Sequence, residues 1–266
     1  MTLELNTERM QAHVEDGIGW MIFNHPQRHN ALSLEMWQAI GDILEHFSNN
    51  DAVRVVIMRG AGGKAFVSGA DISEFDSHRA NAEQRQSYGK IAGRASRWLA
   101  ELPKPLIALI EGYCIGGGLA TALAADIRFA TPNSRFGIPA AKLGLGYEFE
   151  GLAKLARLVG PSRARDIMFS ARFMEADEAH GMGLINFIEP SDNIEAACLA
   201  YAERIVGNAP LTIKATKAAL NTWEAGSEPE AVNTVRDMVD ACFNSEDYKE
   251  GRSAFAAKRP PKFQGN

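Results

Sequence analysis

Apolar positions along the chain follow two spacings, and the change from one to the other outlines the fold. The run Gly19-Trp-Met-Ile-Phe-Asn24 is apolar until it meets polar residues and Pro26, which predicts a strand. Ser33 opens a segment in which Trp37, Ile40, Leu44 and Phe47 recur at helical spacing, with Ser33 as the expected N-cap. Val53 to Met58 is rich in β-branched residues and stops at Gly60. Leu106 to Ile110 and Ile127 to Ala130 repeat that pattern, so all three read as buried strands. Strands alternate with helical patterns through about residue 190, which predicts an α/β architecture. Beyond Ser191 the strand signals end. Ile194–Val206, Leu211–Trp223, Glu228–Phe243 and Tyr248–Ala257 read as helices, punctuated by Pro210 and Pro229. The expected organisation is an α/β body over 1–190 and a helical region over 191–266, with no internal repeat.

Composition narrows the function classes. A chain of 266 residues, 46% hydrophobic and 23% charged, can bury a sizeable core without disulfide or metal staples. A formal net charge of −5 argues against a global nucleic-acid or membrane-surface role. Basic charge does gather in Gly251 to Asn266, where Arg252, Lys258, Arg259 and Lys262 meet no acidic residue. Cys114, Cys198 and Cys242 give neither a disulfide framework nor a CxxC pattern, and no segment resembles a signal peptide or membrane span. A reducing cytoplasm is the expected location.

Most familiar motifs fail on inspection. Gly116-Gly-Gly118 lacks the third glycine of a dinucleotide loop, because that position is Thr121; Gly144-x-Gly146 fails at Phe149. Ser68-Gly69 is no nucleophile elbow, since Phe66 and Ala70 occupy the positions that need glycine. His25 and His29 have a metal-pair spacing, but Pro26 between them argues against the helix such a pair needs. No metal site and no cofactor box are expected.

Two small-residue turns remain. Lys64-Ala-Phe-Val-Ser-Gly-Ala-Asp-Ile72 is a strand-like run, a turn, and an Asp able to cap a helix begun directly after it. Ile110-Glu-Gly-Tyr-Cys-Ile-Gly-Gly-Gly-Leu-Ala-Thr121 is a buried strand, three glycines and a helical run from Leu119 to Ala125. Both put bare backbone at a helix start, where N–H groups lack internal partners and carry partial positive charge. Two such groups, converging, can bind an oxyanion.

At these residues the chain resembles the enoyl-CoA hydratase/isomerase (crotonase) superfamily. Asn24-His-Pro-Gln-Arg-His-Asn-Ala-Leu32, Ala65-Phe-Val-Ser-Gly-Ala-Asp-Ile72, Glu111-Gly-Tyr-Cys-Ile-Gly-Gly-Gly118, Phe136-Gly-Ile-Pro-Ala-Ala-Lys-Leu-Gly144 and Ala176 to Ile188 are similar to its motifs, in the same order. The resemblance implies a spiral of ββα units over 1–190 and a helical oligomerisation region over 191–266. That region usually builds trimers or dimers of trimers. It implies a coenzyme A thioester as substrate, with no separate cofactor, and an oxyanion hole from the N–H groups of Ala70 and Gly117. The stretch holding Arg28 and Ala31, and that holding Ser68, Gly69, Asp71 and Ile72, resemble the part that cups adenine and pantetheine. Phe255 and Lys258 resemble the tail that reaches a CoA, often a neighbour's.

The departures are as informative as the matches. A typical hydratase holds its water between two glutamates, and the matching positions here are Ala120 and Ala140. Alanine cannot act as acid or base, and losing one positioned group lowers rate by about 10² to 10⁴. Glu148, four residues after Gly144, matches the spacing of the single catalytic glutamate in peroxisomal-type Δ3,Δ2-enoyl-CoA isomerases. Tyr147, in Leu143-Gly-Leu-Gly-Tyr147, resembles the matching segment of methylmalonyl-CoA decarboxylase, and Glu150 is a further candidate acid. Isomerase-type proton transfer is the expected activity. Decarboxylation, weak hydration and non-catalytic acyl-CoA binding are its alternatives. Asp71 is expected to cap a helix and Asp126 to be a paired, buried carboxylate.

Overall fold

The computed structural model describes residues 2–74 and 82–266. Among these residues, ten strands form two sheets. The larger has the order β1 (Met10–Glu15), β2 (Ile18–Phe23), β3 (Val55–Gly60), β5 (Leu106–Ile110), β7 (Ile127–Ala130), β10 (Phe187–Ile188); the smaller has β4 (Ala65–Val67), β6 (Tyr113–Ile115), β8 (Arg135–Gly137), β9 (Met174–Glu175). Consecutive strands alternate between them. β3, β5 and β7 join the larger sheet and β4, β6 and β8 the smaller, with parallel pairing inside each set. Each turn of the chain thus lays one strand on each sheet before a helix returns it, and the result is the spiral of ββα units.

The burial pattern explains why the strands read as unbroken apolar runs. On β3, Val56 and Met58 join the core between the sheets, while Val55 and Ile57 join a second cluster with Ile194, Cys198 and Ala202. Alternate side chains face opposite sides of a strand, so a strand covered on both faces must be apolar throughout. The helix α1 (Leu34–Asn49) starts where expected, with Ser33 Oγ accepting the Met36 N–H. Then come α2 (Ala82–Glu101), α3 (Gly117–Leu123), α4 (Phe149–Val159), α5 (Pro161–Ser170) and α6 (Ala176–Gly181). The C-terminal set is α7 (Ile194–Val206), α8 (Pro210–Glu224), α9 (Pro229–Asn244) and α10 (Glu246–Ala256).

The α4 helix begins at Phe149, so Glu150 lies within its first turn. One expectation needs correction. Asp126 is paired but not buried: its carboxylate accepts from Lys217 Nζ and the Leu106 N–H, both at 2.7 Å, yet 34% of the side chain is exposed. Lys217 sits on α8 and also donates to the Lys104 carbonyl, so this pair fastens the helical region to the start of β5. No described helix is long and apolar enough to cross a membrane.

α3 lies so close to β4 that a Cβ on Gly118 would stand 2.0 Å from the Val67 carbonyl oxygen. Backbone, not a flexible side chain, fills that space. Gly118→Ala should therefore destabilise the fold by about 1–3 kcal/mol, read as a lowered denaturant midpoint at unchanged m-value. A native midpoint would mean that β4 and α3 are not packed as described.

Candidate active site

The site is built from three pieces of backbone. The first is the segment from His25 to Leu32, a 3-10 turn (Pro26–Arg28) followed by two residues with left-handed φ, His29 and Asn30. Asn30 is fully buried. Its Oδ1 accepts the His25 N–H at 2.8 Å, and its Nδ2 donates to the carbonyls of Ala61 and Ala65 at 3.0 and 2.8 Å. One amide side chain thereby ties the turn to the start of β4. Asparagine adopts left-handed φ more readily than most residues, so one residue serves both the bend and the bonds.

The second piece is Ser68 to Asp71. The Ser68 N–H donates to the His29 carbonyl at 3.1 Å. Leu32 and Ala70 then form an isolated parallel bridge. Both of its bonds use Leu32: the Leu32 N–H donates to Gly69 O at 2.8 Å, and the Asp71 N–H to Leu32 O at 2.9 Å. Parallel pairing of this kind turns the flanking groups of the opposite strand inward and leaves the central residue's own N–H on the far side. The Ala70 N–H accordingly donates to no group among the described residues.

The third piece is the glycine turn. Gly116 has φ 55° and ψ −117°, a backbone conformation open in practice only to glycine, and its N–H donates to Gly137 O at 2.8 Å. Gly117 follows as the first residue of α3, where N–H groups have no intrahelical acceptor. A Cβ built on Gly117 would stand 3.7 Å from the Ala70 nitrogen. The two small-residue turns do converge, and a cleft between two free N–H groups is what a developing oxyanion requires.

The other candidate side chains divide into three groups. Arg28, Ala31, Ser68, Gly69 and Asp71 lie on the first two pieces, with Ser68 Oγ donating to Arg28 O at 3.4 Å. Asp71 caps as expected, accepting from the Ser73 N–H and hydroxyl at 3.0 and 2.6 Å, but the element it caps is a short 3-10 turn (Ile72–Glu74). Burial pushes the Asp71 carboxyl up, and the Ser73 bonds with the charges of Arg28 and Arg9 more than offset it, so it is held below its ordinary range. Ile72 starts that turn, and its side chain lies outside the described ones.

The second group lies on the opposite wall. Tyr147 is half-buried against the core, and its hydroxyl donates to Gly116 O at 3.4 Å, at the edge of the glycine turn. Burial pushes its phenol up to about 12. Ala140 and Tyr147 line one cavity of ≈ 520 Å³. Glu148 is the N-cap residue of α4; its carbonyl accepts the Leu152 N–H at 3.3 Å, while its exposed carboxylate makes no hydrogen bond or ion pair among the described residues. Glu150 is exposed in the first turn of that helix. Phe255 and Lys258 form the third group. They lie at the end of α10, with Phe255 88% exposed, and within one chain they are not gathered with the glycine turns. Asn30 and Leu32 shape the cleft; the sequence marks them only as members of the family-like segment 24–32 and does not reveal their roles.

The enoyl-CoA hydratase/isomerase family model matches residues 13–266. The chain is 35% identical over 258 residues to a short-chain-enoyl-CoA hydratase of Clostridium acetobutylicum, with 97% of each protein covered. It is 29% identical over 260 residues to a 1,2-epoxyphenylacetyl-CoA isomerase of Escherichia coli, covering 97% of this chain and 99% of that one. The crystal structure of an enoyl-CoA hydratase/carnithine racemase from Magnetospirillum magneticum superposes with a TM-score of 0.91 at 36% identity, covering 98% of this chain and 97% of that one.

Gly117 and Gly118 should respond oppositely to the same substitution. A methyl on Gly117 meets only ordinary contacts, the nearest at 3.7 Å, but it points into the cleft beside the Ala70 N–H. Gly117→Ala should keep stability within about 0.5 kcal/mol while slowing thioester chemistry that passes through an oxyanion by roughly 10² to 10³. Paired melting and turnover measurements check this; full activity in Gly117→Ala would remove this cleft from the chemistry.

Proposed function

The chain belongs to the enoyl-CoA hydratase/isomerase family, and on that premise we propose that it moves a proton within an enoyl-CoA, converting a 3-enoyl thioester to its 2-enoyl isomer. One observation carries the choice: both positions at which a hydratase would hold its water are methyl groups, Ala120 and Ala140, while the Ala70 and Gly117 N–H groups have no acceptor among the described residues. Ala140 is 6% exposed and looks onto an apolar cavity, whose described lining holds no carboxylate to stand in for it.

The thioester carbonyl accepts from the Ala70 and Gly117 N–H groups. The Glu148 carboxylate takes a proton from C2, and the electron pair moves onto the carbonyl oxygen as a dienolate. The same carboxyl, now protonated, returns the proton at C4, leaving the double bond between C2 and C3. Atoms balance with no water and no second acid. Glu148 suits the role because no described residue engages its carboxylate. Tyr147 does not suit it, because a phenol held near 12 is neutral at working pH and cannot serve as a base.

Tyr147 favours a second reading. Its hydroxyl at the edge of the cleft could hold the carboxylate of a malonyl-type thioester, whose loss of carbon dioxide leaves the same enolate and needs no base. Hydration has the support of the hydratase relative. A trimer or dimer of trimers, with Phe255 and Lys258 reaching a neighbour's CoA, accords with the apolar surface that Leu220, Trp223, Val239 and Phe243 present on α8 and α9.

Incubation with separate 3-enoyl, 2-enoyl and methylmalonyl thioesters, followed by chromatography and mass spectrometry, tests the reading. Isobaric conversion of the 3-enoyl species is expected, slowed by about 10² to 10⁴ in Glu148→Gln. An undiminished rate in that variant would dismiss Glu148, and gain of water or loss of carbon dioxide by the wild type would dismiss isomerisation as the main activity. Because the Tyr147 phenol stays protonated to about 12, Tyr147→Phe should leave both limbs of the pH–rate profile where they are below about pH 10. An alkaline limb that vanished in this variant would mean that the phenol ionises during turnover.

A further inference from the structure

Ala140 removes more than a carboxylate. The cavity it borders runs between the segment 139–147 and helices α4 and α5, and its volume is ≈ 520 Å³. Four alanines line it, Ala140, Ala141, Ala156 and Ala164, of which Ala140 and Ala164 are 6% and 7% exposed. Leu152, Pro161 and Met168 add further apolar lining. Among the described residues, Tyr147 and Arg165 are its polar side chains, and no carboxylate faces it. Tyr147 is the wall it shares with the oxyanion cleft, since the same ring lines the cavity while its hydroxyl reaches Gly116 O. Leu145 and Phe169, 46% and 77% exposed, mark the outer end.

We propose that this cavity receives the acyl group of the substrate and selects acyl-CoA thioesters that carry an aromatic ring a few carbons from the carbonyl. The proposal rests on the reading of Ala70 and Gly117 as the seat of the thioester carbonyl. Size sets the class. A cavity of about 150 Å³ already holds benzene, so this one takes a ring together with the methylenes that lead to it. A four-carbon acyl group would leave most of it unfilled. Polarity agrees: alanine, leucine, methionine and proline side chains and the rings of Tyr147 and Phe169 line it, and Arg165 is its cation among the described residues. Such a lining rewards apolar bulk. A glutamate at residue 140 would put a carboxylate into this space, so the same alanine that ends water activation also makes room for the ring.

The test uses inert saturated thioesters, so it needs no turnover. Isothermal titration of the whole protein with 4-phenylbutanoyl-CoA and with butanoyl-CoA should give at least about tenfold tighter binding of the aryl thioester. Ala140→Phe and Ala164→Leu fill the cavity from opposite walls, and each, once seen to melt cooperatively, should bring that ratio towards one. Equal binding of the two thioesters by the wild type, or an unchanged ratio in both folded variants, would overturn the pocket and leave the proton-transfer reading standing. Failure to bind either thioester would overturn both together.

Discussion

The site depends on how one short bridge is satisfied. At the Leu32–Ala70 bridge, Leu32 supplies both the donor and the acceptor, to Gly69 O and from the Asp71 N–H. Ala70 is held rigidly by neighbours on either side while its own N–H meets no described acceptor. Ala70 is only part-buried, so its N–H is left to a group from outside the fold. On the proposed reading that group is a ligand oxygen, and the opposite donor comes from Gly117 at the start of α3. Because the hole is backbone, it survives any side-chain change that leaves the bridge and the helix start in place.

That dependence explains the crowding around the bridge. Asn30 binds the turn 25–32 to the start of β4 through three hydrogen bonds, fixing where Leu32 stands. Gly116 bonds to Gly137, tying the glycine turn to β8. Gly118 brings α3 against the Val67 carbonyl with no room for a methyl. Each contact removes a degree of freedom between two N–H groups that must agree in position to a fraction of an ångström. Covalently these residues span much of the body, from Asn30 to Gly137. The two-sheet spiral makes them neighbours, because every turn returns its second strand to the same small sheet beside the last.

Much of this was legible in the sequence, for identifiable reasons. β3, β5 and β7 are buried on both faces, so their apolar runs are unbroken and their ends lie within two residues of expectation. The C-terminal helices were equally plain, since Pro210 and Pro229 occupy first-turn positions and mark their starts. β1 escaped notice because it is an edge strand with polar residues at Gln11, His13 and Glu15. The strands of the smaller sheet are two or three residues long, too short for a period to register. In the site, the small-residue turns read as bare backbone at helix starts, and it was the family resemblance that singled out Ala70 and Gly117 within them. Asn30 was marked only as part of the family-like segment 24–32; its bonding role exists only once Ala61 and Ala65 are folded beside it.

The two alanines then acquire a single physical meaning. With a carboxylate at residue 140, the space behind Tyr147 would be divided by a charge that needs water or a partner, and burying it unpaired would be strongly unfavourable. With a methyl there, that space is an apolar cavity that shares Tyr147 with the edge of the cleft. On the proposed reading, excluding water from the enolate favours proton return over hydration. Glu148, the acid of the proposed reading, stands at the N-cap of α4 and not among the residues that line the cavity, so that reading places chemistry and acyl recognition on different elements. On that reading the backbone hole can stay constant while the cavity changes which acyl group it admits and the α4 entrance changes which proton moves.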